Sequence, residues 1–177
     1  MIGTYIASKF RRPTGVMGRL IGYMMARGNA YEAAWTVALL NIQANEHILE
    51  IGFGPGLAIE YAARRAPNGL VAGVDYAAPM VRAARARNAA AVAVGRVALR
   101  HGEVAHLPYP TESFDKAFAI HCIYFWANPT DDLKEVRRIL KPGGLLEITI
   151  RPNETWPKER LAPPHLFTLY TRPYQDL

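Results

Sequence analysis

The stretch HILEIGFGPG, residues 47–56, decides the fold of this 177-residue chain. An apolar run that ends at Ile51 is followed by three alternating glycines, Gly52, Gly54 and Gly56. Glycines at this spacing let the backbone turn sharply and present bare N–H groups. The stretch therefore predicts a buried strand and, after it, a loop whose main chain a ligand can touch.

A second stretch, GLVAGVDYAAPM at residues 69–80, repeats this form. Its apolar strand ends in a single carboxylate, Asp75, and a helical pattern follows. An ionised carboxylate is acceptor-only and can take the protons of both hydroxyls of a cis-diol. Asp75 is therefore predicted to bind a ribose.

Length and composition predict one globular domain with a substantial core. The 21 Lys and Arg residues against 15 Asp and Glu residues give a net charge of +6, and they are scattered as on a solvated surface. Nucleic acid is thus an unlikely partner, although RNA stays open through the basic start of the chain. Cys122 is the one cysteine, which excludes a disulfide framework and favours a reducing cytoplasm.

The first 25 residues show no long apolar core and no small-residue cleavage site, so we expect no signal peptide, no membrane span and a soluble protein. The organisation predicted is an N-terminal helical cap over 1–45, a core over 46–151 and a Pro-rich tail over 152–177, all in one globular domain. The cap comprises one helix that Pro13 opens and a second that follows Asn29.

The glycine spacing bears on the ligand. The sequence motif for dinucleotide binding is G-x-G-x-x-G. Its third glycine position falls on Leu57 here, which weakens the hypothesis that the loop binds NAD. EIGFGPG, Glu50 to Gly56, instead resembles motif I of the class I S-adenosylmethionine-dependent methyltransferases, an acid, one residue and then G-x-G-x-G. It fits this motif at every defined position.

Later segments extend the resemblance to the methyltransferase type 11 and UbiE-like group. GEVAHLPY at 102–109 is similar to that group's G-D-A-x-x-L-P-F, with Glu103 in place of the usual aspartate. Phe114 and Asp115 fit its fourth strand, and KPGG at 141–144 fits the turn before its fifth.

The resemblance implies an α/β fold, a Rossmann-like three-layer sandwich with a parallel sheet ordered 3-2-1-4-5. It also implies S-adenosylmethionine as cofactor and methyl transfer to an acceptor. His121, at the end of the fourth strand, is a candidate general base, and no spacing of histidines and carboxylates suggests a metal. The predicted cofactor contacts are Glu50, Gly52, Gly54, Gly56, Asp75, Tyr76, Met80, Glu103, Val104 and His121.

The acceptor is expected to be a small molecule. Methyltransferases acting on amino groups of adenine, cytosine or glutamine usually carry an Asn or Asp-Pro-Pro-Tyr run after strand four, and this chain has AIHCIYFW at 119–126. The aromatic residues of that run make a lipid or quinone-like acceptor conceivable.

The last 27 residues depart from the family pattern. HLFTLYTRPYQDL, 165–177, resembles the opening of a helix, so the final antiparallel strand pair is expected to be missing. A homo-oligomer would then cover the exposed sheet edge. Two alternatives to the enzyme stay open: a module that binds S-adenosylmethionine without turnover because of a shortened C-terminus, and an NAD-linked oxidoreductase.

Overall fold

A twisted sheet of six strands forms the centre of the protein. The computed structural model describes residues 29–150 and, for the backbone, residues 167–171. The strands run in the order β3-β2-β1-β4-β5-β6, and the first five in this order are parallel. Their bounds are β1 (His47–Ile51), β2 (Leu70–Asp75), β3 (Val97–His101), β4 (Phe114–Ile120), β5 (Leu140–Ile150) and β6 (Phe167–Thr171).

Helices cover both faces of the sheet, which makes the three layers. Parallel neighbours need a crossover connection, and helices supply most of these connections here. The five helices are α1 (Ala30–Leu39), α2 (Leu57–Arg65), α3 (Ala78–Arg87), α4 (Ala89–Ala93) and α5 (Pro129–Ile139); short 3₁₀ turns cover Val104–His106 and Ile123–Phe125.

The strands are apolar on both sides because both sides are covered. Within β1, Ile48 belongs to the core cluster under α1, α2 and α3, and Leu49 belongs to the cluster under α5. Both side chains are fully buried. Continuous apolar strands of this kind are typical of a parallel sheet. The predicted fold class and strand order 3-2-1-4-5 are confirmed.

The predicted absence of both terminal antiparallel strands is wrong for one of them. β6 pairs antiparallel with β5, from Leu146 opposite Thr171 to Ile150 opposite Phe167. FTLYT is rich in β-branched and aromatic residues, which favour an extended chain once a sheet edge is available. The homo-oligomer expected at an uncovered β5 edge loses that reason, because β6 occupies the edge.

The KPGG segment lies within β5, where it interrupts the pairing. Leu140 pairs with Phe114, but the next pair is Leu145 with Lys116, so β5 has three more residues than β4 between these points. Gly143 adopts a left-handed φ of 77° in this excursion. The predicted turn is therefore present as a bulge inside the strand.

α1 is the described part of the predicted N-terminal cap; the helix predicted from Pro13 lies outside the described residues. The α1 residues Ala33 and Val37 are buried in the core. Thr36 and Thr149 of β5 are fully buried, and their Oγ1 atoms lie 2.6 Å apart in a hydrogen bond. α1 is thus attached to the sheet by packing and by one polar contact. Within the described ranges, no helix has the length and hydropathy needed to cross a membrane.

Gly56 joins the glycine loop to α2 and lies in close contact with α3. Its φ is 79°, and a Cβ built there would lie 2.6 Å from the Ala84 Cβ. The buried Asn88 side chain donates to the Gly56 carbonyl through Nδ2 at 3.0 Å. This contact requires glycine both for the backbone conformation and for the space.

Replacing Gly56 with alanine should lower the free energy of unfolding by about 3 kcal/mol, because a left-handed φ and a clash with helix α3 add together. Gly95→Ala is the matched control: its φ is 75° but nothing lies within 4 Å of the added Cβ. This control should cost only about 1 kcal/mol. Chemical denaturation of the two variants measures the difference. Equal losses would contradict the close approach of α2 to α3.

Candidate functional site

The glycine loop after β1 presents bare main chain at the carboxyl end of the sheet. Gly52 has a φ of 74°, and a Cβ there would lie 2.7 Å from the Cys122 Cβ. The N–H of Gly52 donates to the Val74 carbonyl at 2.8 Å, and the N–H of Gly54 donates to Asp75 Oδ2 at 2.7 Å. The loop is therefore held against the end of β2 by its own backbone.

A cavity of about 320 Å³ opens beside this loop. The ends of β1, β2 and β4, the loop after β3 and the first turns of α1 and α5 surround it. Open α/β sheets bind their ligands at this end of the strands. Nine predicted cofactor contacts line the cavity: Glu50, Gly52, Gly54, Asp75, Tyr76, Met80, Glu103, Val104 and His121.

Gly56 does not line the cavity. It lies one turn away, against Ala84 and Asn88. Its place in the sequence motif thus reflects helix packing in this structure. The sequence could not separate this packing role from ligand contact, because both require a residue without a side chain.

The lining carries acidic groups and no lysine or arginine among the described residues. Its four carboxylates come from Glu50, Asp75, Glu103 and Asp132. The other titratable groups in the described lining are His121, the Tyr76 hydroxyl and the Cys122 thiol. A cavity with this charge favours cationic ligands in a protein whose net charge is +6.

Glu50 is the most perturbed of these groups. Its side chain is 3% exposed, and Oε2 has no hydrogen-bond partner within the described part of the chain. Burial raises the pKa of Glu50 to about 8, and the nearby charge of Asp75 adds to the effect. A hydrogen bond from the Ile59 N–H acts in the opposite direction. Glu50 is therefore largely protonated at neutral pH and has an unused acceptor.

Asp75 combines burial with strong hydrogen bonding. Oδ2 accepts from the Gly54 N–H at 2.7 Å and Oδ1 from the Ala77 N–H at 2.8 Å. Burial raises its pKa, although these two hydrogen bonds and the nearby His101 partly offset the effect. Each carboxylate oxygen has two acceptor positions, so Asp75 can hold the loop and still accept from a ligand.

Two charged residues of α5, Arg138 and Glu135, hold the loop after β3 and form a clamp that was not predicted from the sequence. Arg138 donates to the carbonyls of Tyr109 and Leu107 at 2.9 and 3.1 Å. Glu135 accepts from the Leu107 N–H at 2.9 Å and forms an ion pair with Arg138 at 2.7 Å. Glu103 and Val104 belong to this loop, and the clamp limits where they can lie. The spacing of Glu135 and Arg138, three residues apart on one helix, was the available signal.

His121 and Cys122 lie where β4 ends. His121 has a left-handed φ of 53°, and its N–H donates to the Thr149 carbonyl at 2.9 Å. Cys122 Sγ donates to the Ile51 carbonyl at 3.0 Å, and burial raises the pKa of this thiol to about 12. The thiol is thus protonated and unreactive at neutral pH.

The lining also includes Asn29 and Asp132, two polar residues that were not among the predicted site residues. Asp132 follows a second aspartate, Asp131, in the first turn of α5. Asp131 is exposed and pairs with Lys134 at 2.7 Å. Asp131 and Asp132 have the same side chain and differ only in burial, so no signal in the sequence could have distinguished them. Among the described residues, no group of three or more histidines, cysteines and acids is arranged to hold a metal ion.

Comparisons with known proteins agree with this architecture. The sequence profile of a methyltransferase domain family matches residues 49–148. The chain is 33% identical over 135 residues to the methyltransferase YdaC of Bacillus subtilis (strain 168), which covers 76% of this chain and 72% of that protein. It is 30% identical over 115 residues to a ubiquinone/menaquinone biosynthesis C-methyltransferase of Geotalea daltonii, 64% of this chain and 49% of that one.

A solved structure shares the fold. The SAM-dependent methyltransferase from Aquifex aeolicus superposes with a TM-score of 0.64 at 20% identity, over 75% of this chain and 72% of that one. The chain spans about half the length of the Geotalea relative. The resemblance stated from the sequence is confirmed: with the family profile matched over 100 consecutive residues and a relative one-third identical over most of its length, this chain belongs to the methyltransferase domain family.

Proposed function

We propose that this protein binds S-adenosylmethionine in the cavity and transfers its methyl group to a small-molecule acceptor. The observation that supports this most is the set of four acidic side chains in the lining, one of which, Glu50, is protonated before a cation binds, with no lysine or arginine among the described lining residues. S-adenosylmethionine carries a sulfonium and an ammonium, which such a lining attracts. A dinucleotide carries a pyrophosphate, which it repels. When bound, the cofactor supplies an activated methyl group and its leaving group.

The lining offers hydrogen-bond acceptors for the hydroxyl, amino and ammonium groups of this cofactor. Asp75 would accept from the ribose hydroxyls, and Glu103 from the purine amino group. The unpartnered Oε2 of Glu50 would accept from the ammonium. Main chain at Gly52 and Gly54 would lie against the amino-acid part, and Tyr76, Met80 and Val104 would surround the purine. His121, on the same cavity, stays our candidate base.

The alternatives from the sequence have less support. A binding module without turnover was inferred from missing terminal strands, and β6 removes part of that premise. Cys122 is half-buried and is the one cysteine of the sequence, which agrees with the reducing cytoplasmic location that we propose.

Titration calorimetry should separate the cofactor classes directly. We expect S-adenosylmethionine and S-adenosylhomocysteine to bind at one site per chain, and NADH to bind at least about 100-fold more weakly, since a difference of about 2.7 kcal/mol is modest for a pyrophosphate placed among carboxylates. Binding of NADH with no binding of S-adenosylhomocysteine would refute the proposal.

Asp75→Ala should weaken S-adenosylhomocysteine binding by about 30-fold or more, because hydrogen bonds to a charged group contribute about 1.5 to 3 kcal/mol. It should also lower the melting temperature, since the Gly54 and Ala77 N–H groups lose their acceptor.

Asp115→Ala is the matched control for Asp75. Asp115 accepts from the His47 N–H at 2.8 Å and pairs with Lys141 at 2.7 Å, at the opposite end of the sheet. This variant should lose stability and keep its affinity. Similar affinity losses in the two variants would show that Asp75 acts through stability alone.

Affinity should depend on pH through Glu50. Its pKa of about 8 means that binding a cation below that pH must release a proton. Affinity should therefore rise by up to about tenfold per pH unit toward about pH 8 and level off above it. Calorimetry in buffers of different ionisation enthalpy measures the number of protons released on binding. The Glu50→Gln variant is the control for the ligand's own amine, because the amine still titrates in this variant and the Glu50 carboxylate is absent.

The same shift has a consequence for stability. The pKa of Glu50 is above its ordinary value of 4.5. Between about pH 4.5 and about pH 8, Glu50 is ionised in the unfolded chain and protonated in the fold, so the unliganded fold loses stability as pH rises through this range. Glu50→Gln should thus raise the unfolding free energy of the unliganded protein at about pH 8 by about 1 to 3 kcal/mol while it weakens binding. A variant that loses both would contradict a ligand role for this carboxylate.

A further inference from the structure

Asp132 is a buried carboxylate to which the proposed cofactor contacts give no role. It lies in the first turn of α5, is 3% exposed and lines the cavity. Its Oδ2 accepts from the Asn128 N–H at 3.3 Å, the one hydrogen bond that its side chain makes to the described residues. A carboxylate offers about four acceptor positions, so most of its capacity is unused.

The surroundings of Asp132 differ from those of the other three acids. Glu50, Asp75 and Glu103 come from the ends of β1 and β2 and the loop after β3. Asp132 comes from beyond β4, together with the lining residues Phe125 and Trp126. This part of the lining therefore combines aromatic rings with one carboxylate.

A capping role alone does not explain a buried charge at this position. The N–H of Asn128 needs only an acceptor, which an uncharged amide would provide at lower desolvation cost. Phe125 is also 45% exposed although it lines the cavity, so an apolar ring is available at the opening. Large exposed aromatic groups beside a polar anchor are typical of sites that bind an amphipathic ring.

The geometry points to Asp132 as the residue that recognises the methyl acceptor, a molecule whose N–H or O–H group is carried on an aromatic ring lying against Phe125 and Trp126. This inference rests on the proposed function, whose cofactor would occupy the part of the cavity near β1 and β2.

The transfer balances without any further reactant. The acceptor nitrogen or oxygen forms a bond to the methyl carbon as the carbon–sulfur bond breaks, and the electron pair of that bond stays on sulfur, which becomes a neutral thioether. For this class of acceptor the proton moves to the Asp132 carboxylate, in place of His121, and from there to water. A carboxylate placed in this way contributes to the rate as a general base.

Three probes that share a para-propylphenyl ring and differ in one substituent test the acceptor class: para-propylphenol, para-propylaniline and para-propylanisole. The phenol and the aniline present O–H and N–H donors, and the ether presents none. With wild-type protein saturated in S-adenosylhomocysteine, calorimetry should show the phenol, the aniline or both binding at least about tenfold more tightly than the ether. With S-adenosylmethionine, the tighter probe should be methylated, measured as S-adenosylhomocysteine formed.

The variants are Asp132→Asn and Asp131→Asn. Asparagine at 132 keeps an oxygen for the Asn128 N–H and removes the charge, so the helix start should persist. We expect Asp132→Asn to lower kcat/KM for the probes by about 100-fold, to abolish the preference over the ether and to change cofactor affinity by less than about twofold. Asp131→Asn makes the same chemical change one residue away, on an exposed side chain, and should alter none of these quantities.

Several results would overturn the inference. The ether binding as tightly as both donors, no binding of any probe to the wild type, or an unchanged preference in Asp132→Asn would each do so. Loss of cofactor affinity in Asp132→Asn would place this carboxylate at the cofactor instead. The proposed function fails separately, if the wild type does not bind S-adenosylhomocysteine at all.

Discussion

The hydrogen bond from the Gly54 N–H to the Asp75 carboxylate is the interaction on which the site depends. It joins the loop after β1 to the end of β2, two neighbours in the sheet. The same carboxylate accepts from the start of the turn that leads into α3. One buried side chain thereby sets the positions of the glycine loop, the next helix and one wall of the cavity, and a charged group is better suited to this than a neutral one because its hydrogen bonds are stronger.

A second constraint is electrostatic. The cavity places Glu50 and Asp75 on adjacent strands, where burial opposes ionisation of both and the charge of Asp75 further opposes ionisation of Glu50. Such an arrangement costs stability, and proteins retain costs of this kind mainly at functional sites. Within the described residues the positive charge lies away from the cavity, in groups such as Arg64, Lys134 and Lys141, which pair with acids on or near the surface. Net charge and site charge therefore have opposite signs, and only the structure shows this.

Local patterns predicted most of the sheet, and long-range contacts explain what they missed. β3 follows from the short run VALRH at 97–101, which begins with apolar residues and lies between Gly95 and Gly102. β6 does not, because FTLYT becomes a strand only through pairing with β5, some 20 residues earlier in the chain. Among the site residues, Asp75 was found from its place after an apolar strand. Asp132 was not, because Asp131 beside it has the same chemistry and only the packing of α5 buries one of the two.

The hydroxyl pair between Thr36 and Thr149 bears on how a ligand reaches the cavity. α1 provides Asn29 and Ala33 to the lining, so moving this helix outward would widen the passage. That movement would separate two hydroxyls in an apolar interior and leave them unsatisfied, which costs about 1 to 3 kcal/mol for each buried group. A ligand would therefore enter and leave the cavity at a lower free-energy cost if the exposed Phe125 side of the opening rearranged than if α1 were displaced.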